Sequence, residues 1–174
     1  MNLQEKSLKI KALVLDVDGV LTDGRIGYSG DSGCEIKFFD VRDGHGIKLA
    51  LRAGLKVGIL SGRRSQANEV RASELGLSFL YQGVKDKKSG LERLLEEQGL
   101  LAEECLYIGD DVVDIPPMRL SGIAVAVGNG VRELDAVCDF RTAAKGGRGA
   151  VRETIEWLLK ERNQWNGLMQ RYFS

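Results

Sequence analysis

Asp16 and Asp18 stand in the run Leu13-Val-Leu-Asp-Val-Asp-Gly-Val-Leu21. An apolar, β-branched stretch ends in two carboxylates two residues apart, and a glycine follows at once. On a strand that spacing puts both side chains on one face. Like charges side by side repel unless something positive lies between them. The pair therefore predicts a divalent cation, or a division of labour between one acid as nucleophile and another as proton donor.

Three more segments share this position, the carboxyl end of a predicted strand entering a loop or helix. They are Leu60-Ser-Gly-Arg63, Lys87 just ahead of a helix beginning near Ser89, and Ile108-Gly-Asp-Asp-Val-Val-Asp114. Each alone says little. The order of acid pair, serine, lysine and acid pair, each after its own strand, fits phosphoryl transfer. That reaction needs charge neutralisation and positioning more than elaborate covalent chemistry. A carboxylate can attack phosphorus and form an acyl phosphate. A second carboxylic acid can protonate the leaving alkoxide and then deprotonate water. A hydroxyl, a helix N-terminus and a lysine can hold the phosphoryl oxygens. Mg2+ bridging the carboxylates and the phosphate would remove the repulsion.

Buried-strand patterns recur at Ala12–Leu15, Lys56–Leu60, Leu77–Tyr81, Cys105–Ile108, Ile123–Val127 and, weakly, Phe140–Thr142. Helical patterns lie between most of them: Gly46–Ala53, Ser65–Leu75, Ser89–Gln98, Ile115–Leu120, Glu133–Ala136 and Ala150–Glu161. The alternation predicts an α/β fold, a Rossmann-like, mostly parallel sheet with helices on both faces. Arg25–Ser29, Gly30-Asp-Ser-Gly33 and Cys34–Phe39 read as a β-hairpin flap after the first strand. It would stand beside the strand's carboxyl end, where open α/β sheets keep their sites.

The four segments resemble the haloacid dehalogenase superfamily of phosphohydrolases, from about Lys11 to Ile155. The resemblance implies that Asp16 is the nucleophile and Asp18 the general acid/base, with Ser61 and Lys87 binding phosphate. It implies Asp16, Asp18 and Asp110 as ligands of Mg2+, with Asp111 or Asp114 in support. Lys85 and Lys88 compete with Lys87, but the family places its lysine just ahead of the helix, where Lys87 fits. Asp111 and Asp114 read equally well as caps of the helix near Ile115.

Large caps of this superfamily are inserted between the first and second motifs or between the second and third. Here the hairpin, a helix and a strand already fill the first interval, and a helix and a strand fill the second. No cap domain is expected. Asp18-Gly-Val-Leu-Thr-Asp-Gly24, Phe39-Asp-Val-Arg-Asp-Gly-His-Gly46, Tyr81-Gln-Gly83 and Gly146-Gly-Arg-Gly-Ala-Val-Arg-Glu153 resemble a capless branch acting on phosphorylated sugar acids. Members of that branch are tetramers in which one subunit's hairpin, here 25–39, caps the next subunit's site. The substrate would be a small sugar acid phosphate, an eight-carbon acid or a nine-carbon sialic-type acid. Guanidinium groups suit its carboxylate geometrically. By resemblance Asp40, Val41, Arg42, Asp43, Gly44, Lys48, Arg63 and Arg71 are substrate contacts, beside Asp18 and Lys87. His45, the only histidine, is expected to have no catalytic role.

The rest of the composition is ordinary. The 174 residues suit one phosphatase domain, with a core from about 8 to 162 and an irregular tail over 163–174. Zero formal net charge argues for no nucleic-acid or acidic-membrane partner, and no window approaches a membrane span. Met1–Lys11 lacks the apolar core of a signal peptide. Cys34, Cys105 and Cys138 form no disulfide or zinc pattern and read as reduced cytoplasmic thiols. A phospho-receiver signalling domain also uses an aspartate, a Ser or Thr and a lysine. There the acceptor lies on a middle strand, and no second acid follows it two residues later.

Overall fold

The computed structural model describes residues 2–30 and 32–173. The apolar runs form β1 (Ala12–Leu15), β4 (Lys56–Leu60), β5 (Phe79–Tyr81), β6 (Cys105–Gly109), β7 (Ile123–Ala126) and β8 (Phe140–Arg141). They make one sheet in the order β5-β4-β1-β6-β7-β8, with every pairing parallel. The chain moves from β1 to β4 on one side and returns to β6 on the other. β1 therefore sits at the switch point, where the loops after neighbouring strands diverge and leave a crevice.

The pleat sends alternate side chains to opposite faces. Leu13, Leu15, Ile59, Leu106 and Ile108 join the core under α2 (Val41–Arg52) and α6 (Ala150–Glu161). Val14, Leu60, Phe79 and Tyr107 join the core under α4 (Lys87–Gln98) and α5 (Ile115–Leu120). The remaining helices are α1 (Leu3–Lys9), α3 (Gln66–Leu75) and α7 (Trp165–Phe173). The hairpin is confined to β2 (Gly27–Tyr28) and β3 (Glu35–Ile36), and its turn residue Asp31 lies outside the described residues. No helix among the described residues is long and apolar enough to cross a membrane.

Besides α1, for which no helix was expected, three elements differ from expectation. Helix α2 starts at Val41, five residues before the expected Gly46. Its interior glycines admit close neighbours: a Cβ on Gly44 would lie 2.3 Å from Arg71, and one on Gly46 3.2 Å from the Arg152 Cα. Lys87 is the first residue of α4 rather than the residue ahead of it, because Asp86 caps the helix by accepting from the Lys88 and Ser89 N–H groups. The tail is helical as far as Phe173, and Ser174 lies outside the described residues. It packs on its own chain, where Trp165 lies beneath Arg152 and Lys160, and the Tyr172 hydroxyl accepts from Arg52 at 2.8 Å.

Candidate active site

The loops after β1, β4 and β6 bring Asp16, Ser61 and Asp110 to one end of the sheet, and the N-terminus of α4 adds Lys87. Asp16 is 6% exposed, and its N–H donates to the Ile108 carbonyl across the strand pair. Lys87 Nζ lies 3.0 Å from Asp16 Oδ2 and 2.6 Å from Asp114 Oδ1. Ser61 is buried, and its hydroxyl accepts from the Arg63 N–H.

Asp114 is fully buried and organises the group. Its Oδ1 accepts from Lys87 and from the Tyr107 hydroxyl at 2.8 Å, and its Oδ2 accepts from the N–H groups of Asp110 and Asp111. Four donors saturate a carboxylate. Oxygens of Asp16, Asp110 and Asp114 lie within 4.8 Å of one another. Saturation leaves Asp114 as the residue that positions the others, and leaves Asp16 and Asp110 as the free carboxylates. Asp111 caps the short turn Val112–Asp114 by accepting from the Val112 N–H.

The electrostatics fit a divalent cation. Three carboxylates face one ammonium group here. Burial, then the charge of Asp114, pushes Asp16 up to about 6 against the pull of Lys87. Burial, then the charges of Asp16 and Asp114, pushes Asp110 up to about 7. Burial opposes the charge on Lys87, but the two carboxylates outweigh it and raise its pKa. The all-oxygen donor set suits Mg2+ or a similar hard ion. A Cβ on Gly19 would fall 1.9 Å from Asp110 Oδ2, so only glycine lets the β1 loop lie against that carboxylate.

The carboxylate of Asp18 stands outside this group. It accepts from Lys37 of the hairpin, and Arg63 Nε lies 3.9 Å from its other oxygen. Arg63 also donates to Glu35. Beside them a cleft of about 910 Å³ runs between the hairpin and α3, walled by Glu35, Lys37, Phe38, Phe39, Arg63 and Arg71. Arg71 lies over the Phe39 ring and pairs with Glu74 at 3.3 Å.

The other expected contacts are differently placed. Asp40 caps α2 and pairs with Arg42, whose guanidinium also reaches the Arg148 carbonyl; Val41 is exposed. Asp43 is buried and accepts from the N–H groups of Gly149 and Arg152, so its carboxylate bolts α2 to the start of α6. Burial pushes it up to about 6. Lys48 donates to the Glu74 carbonyl near the end of α3. His45 meets the ring of Tyr172 on α7. The glycine-rich segment lies against the β1 loop: a Cβ on Gly146 would lie 1.7 Å from the Gly19 carbonyl, and the Gly147 N–H donates to the Val20 carbonyl. Sequence reasoning missed Glu35 and Lys37, whose partners Arg63 and Asp18 are distant in the chain, and Tyr107, which reads as an ordinary apolar strand residue.

Comparison with known proteins agrees with this geometry. A family model described as haloacid dehalogenase-like hydrolase matches residues 65–154. The 3-deoxy-D-manno-octulosonate 8-phosphate phosphatase of Salmonella typhi is 43% identical over 158 residues, covering 91% of this chain and 84% of that one. The Moraxella catarrhalis phosphatase of the same name, solved with magnesium, phosphate and the sugar acid, superposes with a TM-score of 0.93 at 38% identity, covering 97% of each chain. A cobalt-bound Haemophilus influenzae relative superposes at 0.88 with 36% identity, covering 92% of this chain and 93% of that one. An uncapped parallel sheet, a Lys87-bridged acid cluster and identity over nearly the whole length converge: the chain belongs to the haloacid dehalogenase-like hydrolases, among the 3-deoxy-D-manno-octulosonate 8-phosphate phosphatases.

Proposed function

We propose that this chain, working as one domain, hydrolyses 3-deoxy-D-manno-octulosonate 8-phosphate to the free sugar acid and phosphate, in the cytoplasm and toward lipopolysaccharide precursors. The observation that carries the chemistry is the buried cluster of three carboxylates around one lysine. Three unpaired cysteines suit a reducing compartment.

Asp16 attacks phosphorus, and the bond to the sugar oxygen breaks as the aspartyl phosphate forms. Asp18 gives its proton to the leaving oxygen and later takes one from the water that releases phosphate. Lys87 and Ser61 hold the phosphoryl oxygens. Asp16 and Asp110, with the main-chain carbonyl of Asp18, whose carboxylate is taken by Lys37, are the groups that would hold Mg2+, which would supply charge neutralisation for the transferring group. Asp114 keeps Lys87 and the Asp110 backbone in place. Arg63 and Arg71, on the wall of the cleft, suit the substrate's carboxylate.

A phosphate-release screen over sugar phosphates, with Mg2+ or EDTA, tests this reading. The eight-carbon acid phosphate is expected to be the best substrate, and EDTA to remove its turnover. Preference for a nine-carbon sialic-type acid 9-phosphate would move the substrate assignment, and EDTA-resistant hydrolysis would remove the metal. We also propose a homotetramer in which hairpin 25–39 of one subunit caps the site of the next. Tyr28, Ile36 and Phe38 leave apolar surface open on that hairpin, Phe38 at 79% exposure. Sedimentation should give a tetramer mass, and Phe38→Asp a smaller species. A wild-type monomer would sink the assembly.

A further inference from the structure

The hairpin sends two charged side chains toward the β1 loop. Lys37 donates to Asp18 Oδ1, with its own side chain only 2% exposed, and lies 3.6 Å from Glu35 Oε2. Glu35 accepts from Arg63, whose Nε is 3.9 Å from Asp18 Oδ2. Four charges of alternating sign close a ring on Asp18. A buried ammonium costs free energy unless it is paired, so Lys37 is committed to these carboxylates. Glu35 Oε2 is buried with no hydrogen-bond partner, so Lys37 can draw on it for charge but not for a hydrogen bond. The strong contact of Lys37 is therefore the one to Asp18.

That contact distinguishes the two oxygens of Asp18. Oδ1 is occupied by Lys37. The nearest charged donor to Oδ2, Arg63 Nε, stands beyond hydrogen-bond distance at 3.9 Å. Proton transfer gains most when the donor oxygen is held in one place. We infer that Lys37 is a positioning residue for proton transfer, holding Asp18 by Oδ1 so that Oδ2 exchanges the proton with the reacting oxygens. In the first half, the bond between phosphorus and the sugar oxygen breaks, the bond to Asp16 forms, and the Oδ2 proton passes to the sugar oxygen. In the second half, water's oxygen bonds to phosphorus, the bond to Asp16 breaks, and water's proton returns to Oδ2. The inference rests on the reading of Asp18 as the acid and base.

The test varies the leaving group. An alkyl phosphate such as the sugar acid phosphate needs a proton on its leaving oxygen; 4-nitrophenyl phosphate does not. Lys37→Met is expected to lower kcat/KM about 100-fold on the alkyl ester and less than about fivefold on the aryl ester. Lys37→Arg, which keeps the charge and the donor, is expected to recover at least about a tenth of the alkyl-ester value. Equal losses on both esters would make Lys37 a phosphate binder or a purely structural residue, and no loss on either would make it idle; each outcome overturns the inference. Should Lys37→Met not fold, Lys37→Gln is read in its place by the same criterion. Asp18→Asn measured alongside separates the failures. If that variant is indifferent to the leaving group, the acid/base reading itself falls. If it discriminates and the Lys37 variants do not, only the role of Lys37 falls.

Discussion

Asp16→Asn is expected to lose turnover by more than about 1,000-fold while the protein stays folded. The amide cannot attack phosphorus, and no other carboxylate near it is placed to replace it. Asp114 is saturated by four donors, Asp110 sits behind Gly19, and Asp18 is held by Lys37. Stability should move in the opposite direction from activity. In metal-free protein, Asp16 and Asp110 titrate near 6 and 7, above the ordinary carboxylate value of 3.8. An acid whose folded pKa is raised binds its proton more tightly in the native state, so stability falls as pH rises from the unfolded value through the folded one. For Asp16 the loss is on the order of 3 kcal/mol, fully present by pH 7. EDTA-treated wild type should therefore melt lower at pH 7.5 than at pH 5. The Asn variant should show a flatter dependence and melt no lower than wild type at pH 7.5, because Lys87 still has Asp114. Phosphate release and thermal melts at both pH values check the two halves. Near-normal turnover would remove Asp16 as nucleophile, and a melting temperature many degrees below wild type would make it a structural residue.

The sheet was legible because its strands, the weak β8 apart, are short and apolar and have a glycine or an acid within two residues of their ends. The order of the four motifs was legible because three of them sit where a strand ends and Lys87 opens the helix after β5. What could not be read has two causes. Gly44 and Gly46 weaken any helical signal over 41–46, since glycine costs helix stability, yet they stand there so that Arg71 and Arg152 can approach. Helix α1 was missed although Asn2-x-x-Glu5 carries the capping-box signal that the structure forms. The second cause is pairing at long range. Nothing in the spacing of Lys37 and Asp18, of Glu35 and Arg63, or of Asp43 and the N-terminus of α6 marks them as partners. Asp43 shows the consequence: it lies within the expected substrate loop, but the fold turns its carboxylate to another helix.

Asp114→Ala should separate the two aspartates that were indistinguishable as helix caps. Asp111 accepts from its neighbour's N–H, and its loss should cost about 1 kcal/mol, the worth of a cap. Removing Asp114 strands the Tyr107 hydroxyl and the N–H groups of Asp110 and Asp111, and leaves Lys87 with only Asp16. Breaking a buried ion pair from one side costs about 3–5 kcal/mol. For a chain of this size that is on the order of 10 °C in melting temperature. Activity should fall by roughly 10- to 100-fold in the protein that remains folded, because the Asp110 backbone and Lys87 lose their anchor. Melts and kcat/KM of both alanine variants decide the matter. Equal, small effects would make Asp114 a mere cap. Asp114→Asn sharpens the comparison, since it has nearly the same shape. Every hydrogen-bond partner of Asp114 is a donor: Lys87 and Tyr107 at one oxygen, two backbone N–H groups at the other. An amide must set its own NH2 against one of those pairs, so asparagine should rescue only part of what alanine loses.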